Sequence, residues 1–233
     1  KRINIYNESP EAKNYVGYNR EFKNGKTFGE SFVYFDGILT ENTQNEILEV
    51  KVTERTSELV AQTKKTESLM LNILPASIAD RLKSGEEGIS DSYQNATILF
   101  SDLVGFTKMS SGKSPENLVF LLNDLFKRFD IRAQSLGLEK IKTIGDAYMV
   151  VGGLPTKDED HAVRVTKMAL GMYEDLSEFN KEHDMNLDMR IGINSGPVVA
   201  GVIGHSKFSY DLWGNTVNVA SRMESTSIPG QIQ

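Results

Sequence analysis

The spacing of apolar residues divides this chain of 233 residues into a helical stretch and a later mixed region. Residues 47 to 74 contain neither glycine nor proline, and their apolar side chains recur at or near seven-residue spacing. This predicts one long helix able to pair weakly with a second helix, and the alternative is an amphipathic helix lying on its own domain. Pro75 ends the helix, and residues 76–82 are predicted as a short second helix.

From residue 94 onward, strand and helix patterns alternate. Strands are predicted at 94–103, 141–144, 147–151, 187–194, 198–203 and 208–212, and helices from Ser114, at 158–183 and at 216–225. Ser114 and Asn215 are the predicted N-caps, and residues 195–197 are the predicted turn between two strands. The order β-α-β-β-α-β predicts an α+β, ferredoxin-like split β-α-β fold, with helices on one face of an antiparallel sheet.

Two charged residues interrupt the apolar hairpin at 141–151. The strand at 147–151 is apolar on both alternating faces, which is typical of a central strand in a covered sheet. Asp146 stands at its start and Lys142 lies four residues earlier. A carboxylate so close to a buried strand is costly unless a cation or a metal accompanies it. The alternative, that Asp146 is only a turn residue, stays open on this stretch alone.

A second carboxylate, Asp102, ends the first predicted strand. In a split β-α-β fold this strand neighbours the hairpin, so Asp102 and Asp146 are expected to converge. With no histidine or cysteine nearby, the pair favours a hard cation, Mg²⁺ or Mn²⁺, completed by phosphate oxygens. The following Gly105, Phe106 and Thr107 form a stretch where backbone N–H groups could approach an anion. The alternative is two capping or turn aspartates.

The last predicted helix carries an amide and a guanidinium one turn apart, at Asn218 and Arg222. Such a pair near a helix N-terminus indicates a phosphate-facing surface. A surface ion pair of Arg222 with Glu224 or Asp211 is the alternative.

Composition narrows the choice of partners. The chain is 39% apolar and 25% charged, contains no cysteine, and carries a net charge of −6, which argues against nucleic-acid binding. It lacks both an apolar run of membrane-spanning length and the apolar core of a signal peptide, so we expect a soluble, cytoplasmic piece. That piece could be the cytoplasmic part of a membrane-anchored receptor. Residues 1–46 hold eight aromatic side chains, too many for a disordered tail, and are interpreted as the end of an upstream sensor domain or linker.

Four ordered motifs carry a family resemblance. They are FSDLVGFT at 100–107, EKIKTIGDAYMVVGG at 139–153, MRIGINSGPVVAGVIG at 189–204 and YDLWGNTVNVASRMES at 210–225. Together they resemble the catalytic domain of the class III nucleotidyl cyclases, the adenylate and guanylate cyclases. The resemblance implies a cyclase domain at 89–233 and a signalling helix and transducer connector at 47–88.

The resemblance also implies residue roles at the phosphate end of a nucleotide. Asp102 and Asp146, with the Leu103 backbone carbonyl, look like ligands of two Mg²⁺ or Mn²⁺ ions. Arg190 looks like a phosphate contact, and residues 105–107 look like part of the substrate-binding loop.

At the other end, Asn218 looks like the ribose-positioning residue and Arg222 like the transition-state residue. Lys142 and Asp211 match the pair that selects adenine, where guanine-specific relatives carry Glu and Cys. The implied substrate is ATP, and the implied assembly is a head-to-tail homodimer in which each site takes groups from both chains.

This sequence differs from the family in one respect, and three other functions compete with the adenylate cyclase interpretation. The family's domain continues past the strand that begins at 230–232, and its triphosphate-binding lysine lies in that further part. A guanylate cyclase is disfavoured by Lys142 and Asp211. A diguanylate cyclase would need a Gly-Gly-Asp/Glu-Glu-Phe turn, which this sequence lacks. A catalytically silent dimeric signalling module would have no reason to keep costly carboxylates at strand ends.

Overall fold

The computed structural model describes residues 41–106, 114–204 and 206–233. The chain divides into two compact units, Lys1–Glu67 and Ser68–Gln233, each described by itself. The interpretation of residues 1–46 falls almost wholly outside the described residues, and the three-part domain division remains a prediction.

Five helices and five strands follow one another along the described chain. The helices are α1 (Glu41–Leu71), α2 (Ala76–Lys83), α3 (Pro115–Ser135), α4 (His161–Glu182) and α5 (Asn215–Thr226). The strands are β1 (Ser90–Val104), β2 (Glu139–Ile144), β3 (Ala147–Gly152), β4 (Asp188–Ile203) and β5 (Ser209–Trp213). The predicted long helix is therefore present, although α1 ends three residues before Leu74.

The apolar residues of α1 from Leu48 to Val60 face solvent. Leu48, Val52 and Leu59 are all exposed. Whether this stripe pairs with a second helix remains a prediction. No helix among the described residues is both long enough and apolar enough to cross a membrane.

The five strands form one antiparallel sheet in the order β2-β3-β1-β4-β5. β3 is an interior strand whose residues from Tyr148 onward are all buried, as its unbroken apolar pattern predicted. It pairs with β1, so the predicted neighbourhood of the first strand and the hairpin is confirmed. The predicted α+β arrangement on an antiparallel sheet is confirmed as well.

The predicted turn at 195–197 is wrong, because β4 runs unbroken from Asp188 to Ile203. Its pairing with β1 shifts register between Tyr93 and Ala96, opposite Pro197. Proline has no N–H to donate to a sheet, so a bulge is where a strand can hold one. The Gly-Pro pair marks this bulge rather than a chain reversal.

Helices cover both faces of the sheet, which corrects the expectation of a single covered face. On one face α3 and α4 bury Leu125, Phe129 and Met172 against Leu99 and Val150. On the other face lie residues of α2 and α5, including Ile78 and Ala220, with Ile98, Met149 and Leu212 among their partners. Consecutive residues such as Ile98 and Leu99 thus feed opposite cores, as the two-residue period of a strand requires.

The predicted N-cap of α3 is confirmed and that of α5 is wrong. The Ser114 hydroxyl accepts a hydrogen bond from the Asn117 N–H at 3.3 Å. For α5 the cap position belongs to Gly214, and Asn215 is already the first helical residue with no capping side-chain bond before it.

Candidate active site

The two predicted metal carboxylates meet at one end of the sheet. Asp102 lies in β1, directly between Ala147 of β3 and Arg190 of β4 in the strand register. Asp146 occupies the tight turn before β3, next to Gly145, whose φ of +64° favours glycine. The turn thus brings Asp146 beside the strand that holds Asp102.

Arg190 lies beside this pair, because the strand register places it opposite Asp102. Its Nη2 donates to Asp102 Oδ2 at 2.8 Å and lies 3.3 Å from Glu224 Oε1. The Glu224 side chain is only 13% exposed. Sequence reasoning missed this role of Glu224 and considered it only as a surface partner of Arg222. That alternative is wrong, since Glu224 faces Arg190.

Helical spacing could have revealed the position of Glu224. Thr216 and Ala220 are buried under α5, and Glu224 continues the same stripe at four-residue intervals. Arg222 lies about 200° around the helix from Ala220 and is exposed. The charged residue on the apolar stripe was therefore the one facing the sheet.

The electrostatics of this cluster favour an added positive charge. Burial raises the pKa of Asp146, the Asp102 charge raises it further, and Arg190 opposes the shift. Burial also raises the pKa of Glu224, with Asp102 and Asp146 adding to the effect and Arg190 opposing it. Carboxylates whose pKa rises through mutual repulsion are stabilised by a cation placed among them.

Lys142 and Asp211 form an ion pair in which the ammonium donates to Asp211 Oδ2. They come from β2 and β5, the two edge strands, so the sheet is curled enough for its edges to meet. A bulge at Ile141 makes this possible: Lys140 lies opposite Val150, but Lys142 lies opposite Met149. An unbroken strand would turn both lysines to one face, and the bulge re-aims Lys142 to the other.

Asn218 and Arg222 are both exposed and share one face of α5, as their spacing predicted. That face looks away from the sheet, because the buried residues Thr216 and Ala220 occupy the other side. Within one chain, Arg222 therefore points away from the cluster of Asp102, Arg190 and Glu224.

The remaining predicted residues follow Asp102 along the chain. Leu103 is buried and pairs with Met189 in the register. Gly105 adopts a φ of +80°, and Phe106 packs against the core formed by α3 and α4. Thr107 lies outside the described residues. The carbonyl of Leu103 as a ligand and the loop as a phosphate contact remain proposals.

A different acidic cluster lies between α3 and α4. Oxygen or nitrogen atoms of Asp124, Glu182 and His183 approach within 4.8 Å of one another. Arg128 already fills this cluster, with Nη2 3.3 Å from Asp124 and bonded to Glu182. His183 Nε2 lies 3.0 Å from Asp124, and this hydrogen bond, followed by the Arg128 charge, lowers the pKa of Asp124. The group is an ion-pair network that links two helices.

The sequence also matches a known family over the region that holds every predicted site residue. The family model described as the adenylate and guanylate cyclase catalytic domain matches residues 89–233 of this chain. The chain belongs to this family. The four motifs identified in the sequence all lie within the matched region.

Relatives of both specificities are similar to the chain. An adenylate cyclase of Mycobacterium tuberculosis is 47% identical over 174 residues, which cover 74% of this chain and 39% of that protein. A membrane guanylyl cyclase of Dictyostelium discoideum is 48% identical over 165 residues, which cover 70% of this chain and 11% of that protein. The chain thus spans well under half the length of these relatives.

A solved structure agrees with the fold. It is the catalytic core of a rhodopsin-guanylyl cyclase with converted specificity in complex with ATPαS. It is 44% identical, has a TM-score of 0.59, and the match covers 61% of this chain and 78% of that one. The comparisons therefore establish a nucleotidyl cyclase catalytic domain and leave the choice between ATP and GTP open.

Proposed function

We propose that this domain is an adenylate cyclase, which converts ATP to 3′,5′-cyclic AMP and pyrophosphate in a signalling protein. The ion pair of Lys142 and Asp211 carries the proposal. An ammonium can donate to an adenine ring nitrogen, and a carboxylate can accept from the adenine 6-amino group. Guanine presents the reverse pattern on that edge, so these two side chains would favour ATP.

The phosphate end would be built by Asp102, Asp146 and Arg190. Hard carboxylate oxygens suit Mg²⁺ or Mn²⁺, and we propose that the two aspartates hold two such ions with help from the Leu103 carbonyl. The three carboxylates of Asp102, Asp146 and Glu224 and the one guanidinium of Arg190 leave a formal charge of −2, which is the charge a divalent cation neutralises. Bound metal would lower the pKa of the ribose 3′-hydroxyl and offset phosphate charge.

The chain's own groups would then position the nucleotide for an in-line displacement. The ribose 3′-oxygen forms a bond to the α-phosphorus as the bond to pyrophosphate breaks, and the hydroxyl proton passes to solvent. Arg190 and Arg222 would neutralise charge on the phosphates, and Asn218 would orient the ribose. The stretch at 105–107 would offer backbone N–H groups to the triphosphate.

A site shared between two chains would explain why the proposed nucleotide-binding groups lie on opposite sides of α5. In one chain, Asn218 and Arg222 lie on the outer face of α5, while Asp102 and Asp146 lie towards its buried side. A head-to-tail homodimer would let the metal pair of one chain face Lys142, Asp211, Asn218 and Arg222 of the other. We also propose that α1 and α2 connect this domain to an upstream sensor.

A direct assay tests the choice of nucleotide. A protein sample that includes residues after Gln233 is incubated with Mn²⁺ and either ATP or GTP. The cyclic AMP and cyclic GMP formed are then measured. We expect kcat/KM for ATP to exceed that for GTP by about tenfold or more, because mismatched polar groups in a site are strongly rejected. A preference for GTP would make the domain a guanylate cyclase, the specificity of several relatives. Product from neither nucleotide would favour the silent signalling module.

A further inference from the structure

A largely buried carboxylate on α5 contacts the proposed phosphate-binding arginine. Glu224 Oε1 lies 3.3 Å from Arg190 Nη2, the same nitrogen that donates to Asp102 at 2.8 Å. Its geometry is that of a charge contact, because within the described residues Glu224 Oε1 accepts no hydrogen bond. Arg190 is therefore held between two carboxylates from different elements.

Arg190 keeps unused donors in this arrangement. Its Nε is buried and has no acceptor among the described residues, and its one hydrogen bond goes through Nη2. A guanidinium has five N–H donors, and the Arg190 side chain is 29% exposed, so donors other than the buried Nε can reach a ligand. An oxygen-rich anion such as a phosphate is the chemistry that would satisfy it.

The packing of α5 makes the position of Glu224 rigid. A Cβ at Gly192 would lie 2.0 Å from the Glu224 backbone nitrogen and 2.5 Å from the Ala220 carbonyl oxygen. The helix thus lies directly on β4, two residues from Arg190 in the same strand. Backbone contacts therefore fix the separation of the two segments that carry Glu224 and Arg190.

We propose that Glu224 is a positioning residue that holds Arg190 in place for the nucleotide phosphates. The inference rests on the proposed function only in requiring a nucleoside triphosphate as ligand, of either base. A cation bound at Asp102 Oδ2 would compete with Arg190 for that oxygen. When a cation engages Asp102, Glu224 remains as the charge that keeps the guanidinium at the site. Without Glu224, Arg190 would either stay on Asp102 and compete with the cation or lose its orientation.

The test is a double-mutant cycle on nucleotide binding rather than on turnover. The protein, continued past Gln233, is titrated with 3′-deoxy-ATP and with 3′-deoxy-GTP in the presence of Mn²⁺, and affinities are measured by calorimetry. These analogues lack the attacking hydroxyl, so no product forms. The variants are Glu224→Gln, Arg190→Ala and the double variant, with Glu182→Gln as a matched control that removes an arginine-paired carboxylate on α4.

We expect Glu224→Gln to weaken binding of the preferred analogue by about tenfold and to have no further effect in the Arg190→Ala background. Glu182→Gln should leave binding unchanged. Glu224→Asp keeps the charge but withdraws it by one methylene, and should give an intermediate loss. It also provides a second measurement if the Gln variant is unstable.

Each other outcome counts against the role. Unchanged binding in a folded Glu224→Gln variant would overturn it, and an equal loss in both backgrounds would show that Glu224 acts without Arg190. Preference for 3′-deoxy-GTP would refute the adenylate cyclase proposal while leaving the Glu224 result valid. A wild-type chain that binds neither analogue would overturn both proposals.

Discussion

Asp102 pairs with Arg190 in the structure and is also the residue that we propose as a metal ligand. Its Oδ2 accepts a hydrogen bond from Arg190 at 2.8 Å, so a cation bound at that oxygen would compete with Arg190. Asp146 has no such partner among the described residues, and its pKa is raised by burial and by the Asp102 charge. The two aspartates should therefore differ in what their removal does to the folded protein.

Replacing either aspartate by alanine should reduce cyclase activity at least about 100-fold, because each is proposed to hold the catalytic cations. Asp146→Ala should also raise the thermal unfolding temperature slightly, since it removes a partly buried carboxylate whose pKa is raised by burial. Asp102→Ala should not, since it removes the hydrogen-bonded partner of Arg190. Activity with Mn²⁺ and calorimetric unfolding of both variants check this. Retention of more than a few per cent of wild-type turnover would remove that aspartate from the catalytic role.

Base selection should follow the pair on the sheet edges. The double substitution Lys142→Glu and Asp211→Cys places an acceptor where the ammonium stood and removes the carboxylate that would repel guanine O6. We expect the ratio of kcat/KM for GTP to that for ATP to rise by about tenfold or more, at a reduced overall rate. Lys140→Glu, on the opposite face of the same strand, is the matched control and should leave the ratio unaltered. The same ratio in wild type and the double variant would contradict the assignment.

Glu139 should make stability depend on pH. Burial raises its pKa to about 7. The folded state thus holds a proton that the unfolded chain releases near the ordinary value of 4.5, so the stabilisation is complete below about pH 4.5 and is lost as pH rises through about 7. We expect Glu139→Gln to be more stable than wild type at pH 8 by ~1–3 kcal/mol, with the difference shrinking towards pH 5. Urea unfolding of both proteins at these two pH values measures it, and a constant difference would show that the Glu139 proton is not its cause.

At the scale of elements, the pattern of apolar residues predicted most of the strands and helices. Runs of apolar and β-branched residues located β1, β2 and β3, and a turn glycine located Asp146 beside them. The same pattern could not show that Gly196 and Pro197 sit within a continuous strand, because a bulge and a turn use the same residues. Nor could it show which sheet face a helix covers, since that depends on packing between distant segments.

The contacts between distant elements were the least predictable part of the site. Lys142 contacts Asp211 because a bulge directs its side chain to the other sheet face and because the sheet is curled. Neither feature can be read from the residues next to Lys142. The roles assigned to these residues came from a family resemblance rather than from spacing. The four-residue spacing from Ala220 could have predicted that Glu224 faces the sheet. It could not have predicted the partner, because Arg190 lies 34 positions earlier in the sequence.

Gly192 should be intolerant of any side chain. An added methyl would collide with backbone atoms of α5 that cannot rotate away, so the helix must shift off β4. We expect Gly192→Ala to lower the free energy of unfolding by about 1–3 kcal/mol and to reduce activity as well, because α5 carries Asn218 and Arg222. Thermal unfolding and activity are compared with Ser92→Ala, an exposed strand position expected to be near neutral. Wild-type stability in the Gly192 variant would show that α5 does not lie directly on β4.

At the scale of the whole molecule, the direction of side chains on one helix becomes an argument about assembly. The face of α5 that meets β4 carries Glu224, and the opposite face carries Asn218 and Arg222. A single nucleotide cannot easily reach both faces of one helix. Two chains related by a two-fold axis can each present the outer face of α5 to the other's aspartates, which yields two equivalent sites.

Complementation between two inactive variants would reveal such sharing. Asp146→Ala and Arg222→Ala homodimers should each be inactive, because every site lacks one essential group. In a heterodimer one site holds both lesions and the other holds neither. Random mixing places half of the dimers in this state, so co-expressed variants should recover about a quarter of wild-type turnover per chain. Mixing Asp146→Ala with Asp102→Ala is the control, since these lesions belong to the same half-site and each heterodimer site would still lack one of them. Turnover in the first mixture no higher than in the control, with heterodimers verified by differential tagging, would place the entire site within one chain.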